Sequence, residues 1–170
     1  MSCAALAIPP PTQAGFIDFA RTIMGITVKQ LPDASPFFTY AFCVSLELVN
    51  CAIRDASPFM YRLAVYNLAG SNLLNWAQDP VPVDPYPPNN DESKANGVGF
   101  FAYTRAQYNM LGFVSGIIQA AADETTSESL VVPESFKNFT IANLQQLKDP
   151  YGRAYLGIAM DYGPAAWGLT

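Results

Sequence analysis

Histidine is absent from the 170-residue chain, which removes the commonest general base and metal ligand. Charge is scarce as well: Asp, Glu, Lys and Arg make up 14% of residues, against roughly 25% in a soluble domain. A surface so poor in charge implies either that neighbouring subunits cover part of it or that a large core carries a proline-rich coat. The three cysteines are few, odd in number and unpatterned, so they make no disulfide framework. Cys43 and Cys51, eight apart, are expected on one helical face as buried thiols, which fits a reducing cytoplasm. No run approaches the ~20 apolar residues that span a bilayer. The start, MSCAALAIPPP, lacks the basic region of a signal peptide. A basic excess is missing too. The net charge is −5, which opposes attraction to a nucleic-acid backbone.

Positive signs of catalysis are equally lacking. No serine, threonine or cysteine has an activating partner in its motif. Asp123, Glu124 and Glu128 suit a metal or acid–base cluster by type, but in a turn solvated charge is the ordinary explanation. NGVGFF (residues 96–101) has neither the spacing of a phosphate loop nor a following helix start. Asn138-Phe139-Thr140 matches a glycosylation sequon, which is idle without export. The expectation is therefore a protein that is not an enzyme, with no cofactor and no metal.

What the chain does have is helical spacing punctuated by proline. Thr12, after the Pro9–Pro11 run, reads as an N-cap; Phe16, Phe19, Ala20 and Ile23 follow at helical spacing, and Gly25 closes the segment. Ser35-Pro36 is a cap with proline at the first helical position. Phe37, Tyr40, Ala41, Val44, Leu48 and Ala52 form the expected apolar stripe behind it, to about Ile53. Ser57-Pro58 repeats the device, opening a helix through Leu63, Tyr66, Ala69, Leu73 and Leu74 to Ala77. Two such starts joined by a tight link at Arg54–Ala56 predict an antiparallel helical hairpin.

Residues 79–99 then break all periodicity. Five prolines within 80–88 forbid a helix or a central strand and favour a stiff, extended strap, assigned to 79–104. A loop this long in a compact domain is usually functional. The acidity is concentrated here and beyond. Residues 79–134 carry Asp79, Asp84, Asp91, Glu92, Asp123, Glu124, Glu128 and Glu134 against Lys94 and Arg105, a balance of −6. A short helix is expected over 105–114. The run GIIQAAADETTSESLVVP (116–133) has apolar ends and a small, polar shaft. Paired about Asp123-Glu124, it sets Ala122 against Thr125, Ala120 against Ser127, Gln119 against Glu128 and Ile117 against Leu130. Phe113, Ile117 and Ala121 also keep a spacing of four, so pattern alone leaves hairpin and helix both open. A helix is expected from about Phe139 to Leu147. Asp149-Pro150 opens a last one to about Met160, with Gly163-Pro164 as its stop. Tyr151, Tyr155, Tyr162 and Trp167 lie on or after that helix, and either core packing or a subunit interface accounts for them. Arg153, between Tyr151 and Tyr155, is the candidate interface anchor.

The run Gly116–Val132 followed by LKDPYGRAYLGIAMDYG resembles the head–tail connector (adaptor) proteins of tailed bacteriophages. In that family an apolar strand with glycine runs into alternating Ser, Ala and Thr. A helix start of Thr or Asp, proline, an aromatic and glycine follows near the C-terminus. Here these are Gly116–Val132 and Asp149-Pro150-Tyr151-Gly152. AVYNLAGSNLLNW (64–76) looks like the family's helix before the arm, whereas the strap at 79–99 is longer than the family's pattern.

The resemblance implies a mainly α fold: one domain over 1–170, a small helical bundle with a projecting β-hairpin arm and a long Pro-rich loop. Its parts are N-terminal helices at 12–77, the strap at 79–104, the arm at 113–132 and C-terminal helices at 139–160. It also implies a structural role in the virion neck, made in the host cytoplasm. A ring of about twelve copies would sit between the portal protein and the next neck or tail protein, continuing the DNA channel. Genomic DNA would pass through without specific binding, and no membrane would be involved. On this reading the arm residues Ile117, Ile118, Leu130 and Val132, with Tyr151, Arg153, Tyr155 and Trp167, are interface candidates. Asp123, Glu124 and Glu128 become candidates for an acidic channel wall that DNA slides past. Two alternatives stand beside it. One is another virion part, such as a tail-completion or gateway protein. The other is a small ligand-binding helical domain with the strap as a lid.

Overall fold

In the computed structural model of the chain the structure describes residues 8–79, 99–110, 121–122, 127–128 and 145–162. These residues are mainly helical. The helices are α1 (Gln13–Thr22), α2 (Pro36–Leu48), α3 (Cys51–Ala56), α4 (Pro58–Trp76), α5 (Phe100–Gln107) and α6 (Pro150–Tyr162).

The middle helix organises the rest. Eleven of the 19 residues of α4 are buried, from Tyr61 to Leu74, and they point in every direction around its axis. A helix apolar on all sides belongs inside a bundle, and α1, α2, α3, α5 and α6 all pack on it. The starts of α1 and α4 are those expected. Thr12 Oγ1 accepts from Gly15 N at 3.1 Å, and Ser57 Oγ from Met60 N at 3.4 Å. The Tyr66 hydroxyl of α4 also meets the Thr12 backbone, accepting from its N–H at 3.2 Å. That bond ties the first helix start to the centre.

The expected helical hairpin is built differently. Instead of running to Ile53, α2 stops at Leu48, because Asn50 opens a separate helix, its side chain accepting from Ala52 N at 2.8 Å. The tight link is thus a one-and-a-half-turn helix, α3. The core face of α2 is Phe38, Ala41, Phe42 and Ser45, followed by Val49, not the expected stripe. Of that stripe only Ala41 is buried; Tyr40, Val44 and Leu48 are exposed. Rotation by one position is the physical reason. Both faces of this sequence are apolar, so hydrophobic spacing cannot choose between them. Cys43 and Cys51 are both exposed, against expectation. The break at Asn50 removes the single helix that would have aligned them.

The core carries an aromatic centre. Phe16 meets Phe38 edge-on at 5.9 Å, and Phe42 and Tyr66 at 6.3 and 6.2 Å. Arg21 holds the α1–α2 loop around it, donating to the Ile26 and Leu31 carbonyls at 2.8 and 2.6 Å and pairing with Asp33. Its guanidinium lies over the Phe38 ring, 5.3 Å from the centroid.

The later part departs further from expectation. α5 begins at Phe100, inside the stretch assigned to the strap and before the expected 105–114 helix. A helix therefore does start within NGVGFF. Farther on, two short strands, β1 (Ala121–Ala122) and β2 (Ser127–Glu128), pair antiparallel with Ala122 opposite Ser127 and Ala121 opposite Glu128. The expected pairing is displaced by two positions, and four residues rather than two separate the strands. The length expected of an arm, and the helix start near Phe139, lie outside the described residues.

Candidate interaction surface

Asp149 carries the largest departure from a local motif. It sits ahead of Pro150, as a cap should, yet it is wholly buried. One carboxylate oxygen accepts from Tyr151 N at 3.0 Å and Gly152 N at 2.8 Å, closing the first turn of α6. The other accepts from the Ser71 hydroxyl at 2.6 Å, in the middle of α4. Burial pushes the Asp149 carboxyl above its ordinary range, and the Ser71 hydroxyl, the two N–H groups and Arg153 offset this only in part. Gly152 completes the fastening. A Cβ there would overlap the Gln146 carbonyl, so only glycine lets the preceding segment cross this close. Tyr151 turns inward, edge-on to Phe19 at 6.2 Å and against Gly70. Each residue of Asp149-Pro150-Tyr151-Gly152 thus helps attach α6 to α4. Since α6 starts beside Ser71 and also reaches α3, it runs antiparallel to α4.

A second fastening joins α4 to α5. Gly99 has no side chain with which to cap α5, and Asp79 supplies the cap from 22 residues away. Its two oxygens accept from Phe101 N at 2.7 Å and Ala102 N at 2.9 Å. In return Arg105 of α5 donates to the last carbonyls of α4: Leu74 at 2.6 Å, Asn75 at 3.4 Å, and Ala77. Each helix closes the other's open end. Burial lowers the Arg105 pKa, opposed by the nearby Asp79 charge. The two ends of the proline-rich stretch are thereby pinned together.

Among the expected interface residues, Arg153 lies exposed on α6. Tyr151 and Tyr155 are half-buried, pack against the core and have phenols pushed upward chiefly by burial. Within this chain they serve the attachment of α6. Glu128 is in β2. Ile117, Ile118, Leu130, Val132, Trp167, Asp123 and Glu124 lie outside the described residues. Sequence reasoning did not find Ser71, the partner of Asp149, nor the Asp79–Arg105 exchange. No local pattern marks either.

The described surface offers two open grooves and an unusual share of exposed apolar side chains. The first groove, about 300 Å³, runs between α1 and α4 over Phe19, Leu63 and Tyr66, with Asp18 and Arg62 at its walls. The second, about 420 Å³, lies where Pro9–Pro11 passes Leu46, Arg54 and Tyr61. Tyr40, Leu48, Tyr103 and Ile23 are each 60% or more exposed. That is enough to make docking, rather than ligand enclosure, the business of this surface. Among the described residues no cluster of three acids or cysteines is placed to hold a metal, and no helix is long and apolar enough to cross a membrane. Comparison of the chain with family models, with curated proteins and with solved structures found no match.

Proposed function

We propose that this chain is a structural, non-enzymatic protein of a bacteriophage neck. About twelve copies form a ring that joins the portal to the tail and continues the DNA channel. One observation carries the reading: a small-residue run, part of which pairs as antiparallel strands, precedes an Asp-Pro-Tyr-Gly start that clamps the last helix to the bundle. The low charge and the exposed apolar side chains support it, because a subunit surrounded by neighbours needs few charges of its own. In this reading the segment around β1 and β2 is an arm. Its small side chains let backbones approach closely, and its strand edges pair with a neighbour or with the portal. Asp123, Glu124 and Glu128 then line the channel, and Arg153 meets a subunit or the portal.

The experiment is electron microscopy of particles made without this gene product. DNA-filled or leaking heads beside unattached tails are expected. Intact, tailed and infectious particles would sink the reading. Hydrogen exchange on the free chain tests the arm separately. Weak protection over 117–131, rising on assembly, is the expected outcome, and strong protection in the free chain removes the idea.

A further inference from the structure

Two apolar patches on this chain have no partner within the described residues. The first is the outer stripe of α2: Tyr40 (64% exposed), Val44 (37%) and Leu48 (60%), at intervals of four. The second is the groove between α1 and α4, edged by Ile23 (62% exposed) and Phe59 (46%).

Their placement is what matters. On α1, Gln13 and Phe16 face α2, through Thr39 and through Phe38 and Phe42. Asp18 and Thr22, which line the groove, lie on the other flank of α1 at about 100° per residue. On α2, Thr39 faces α1, and Val44 and Leu48 lie on the opposite flank by the same count. Stripe and groove therefore look outward on opposite sides of the α1–α2 pair. One copy cannot join them to each other. Two copies can, and a contact between two different patches leaves each copy with one of each still free. That is a heterologous contact, which grows into a ring or a filament and not into a closed pair.

Charge selects a second copy as the occupant. Two chains of net charge −5 repel, so they must meet where charge is absent or balanced. α2 carries one charge in 13 residues, Glu47, and the stripe carries none. The groove has one acid, Asp18, and one base, Arg62, the latter 5.8 Å from the centre of the Phe59 ring. The groove's volume admits a large side chain. Tyr40, apolar in its body and polar at its tip, suits a site with an apolar floor and charged walls.

We infer that the outer stripe of α2 seats in the α1–α4 groove of the next copy, with Tyr40 as the inserted side chain. This names the subunit contact of the ring proposed above and rests on that reading.

The test is light scattering of the purified full chain across a concentration series, with two variants. Tyr40→Glu with Leu48→Glu removes the stripe. Phe59→Glu removes the groove edge near a helix N-terminus, where an acid is tolerated. All four altered or neighbouring positions are surface positions, and circular dichroism checks that both variants keep their helices. The wild type is expected to associate, and each variant alone to do so at least tenfold more weakly. An equal mixture of the two variants should form pairs and nothing larger, because one intact stripe meets one intact groove. Variants that associate like the wild type would overturn the contact, and so would a mixture that stays monomeric. A wild type that remains monomeric up to millimolar concentration overturns it as well. The neck reading is decided independently by the particles lacking the gene product.

Discussion

The helix starts in the first half of the chain are closed by their own neighbours, and those in the second half by residues far away. Thr12, Asn50 and Ser57 each cap the helix that follows them directly. α5 is capped by Asp79 across 22 residues, and α6 is held by a carboxylate that also binds Ser71, 78 residues earlier. A local cap stabilises a helix wherever it sits. A distant cap stabilises it only once the bundle has formed, so α5 and α6 depend on the completed α4. The N-terminal helices should therefore tolerate the loss of a cap, and the C-terminal ones should not.

The largest expected effect is at Gly152. Gly152→Ala pushes a methyl group into the Gln146 backbone and should cost about 3 kcal/mol, with α6 detaching first. Urea unfolding and hydrogen exchange over 150–162 check this. Equal loss of protection in α1 would break the contrast between the two halves.

Asp149→Ala should cost about 2–3 kcal/mol, because it leaves the Ser71 hydroxyl and two N–H groups without acceptors inside the protein. Asp149→Asn keeps an acceptor for the helix N–H groups and should be close to neutral. The pair also sets a sign for pH. The folded Asp149 carboxyl titrates above its ordinary value, so its favourable contribution is full below the unfolded pKa and is lost as pH rises through the folded one. Denaturation curves of the wild type and Asp149→Asn between about pH 3 and 7 should show the wild type falling behind as pH rises. A wild type that gains on the variant would reverse the assignment.

Asp79→Ala should cost about 1–2 kcal/mol, since it removes two acceptors and frees Arg105. Ser57→Ala, a local cap of α4, should cost about 1 kcal/mol or less, its bond being long at 3.4 Å. Thermal unfolding of the two side by side sharpens the comparison. Equal losses would mean that distance along the chain does not matter.

Much of the helical framework was legible in the sequence because its signals are short. Ser-Pro and Asp-Pro pairs place a cap beside a fixed φ, and α4 and α6 start at those positions. The exposed face of α2 was not legible, since Phe37, Tyr40, Val44 and Leu48 are as apolar as the buried Phe38 and Phe42. Choosing between them requires knowing where α4 lies. α5 was missed for a related reason, its cap being 22 residues upstream. The candidate surface was legible only at Arg153, whereas Tyr151 and Tyr155 turn toward the core within this chain.

The sequence by itself determined the number and starts of the main helices, the interruption by proline and the want of catalytic chemistry. These rest on interactions within a turn or two of backbone. Only the tertiary structure decided which face of α2 stays open, that Asp79 and Arg105 close each other's helix ends, and that Asp149 is buried against Ser71. Each of those joins groups far apart in the chain, and their energies exist only after packing removes the intervening water.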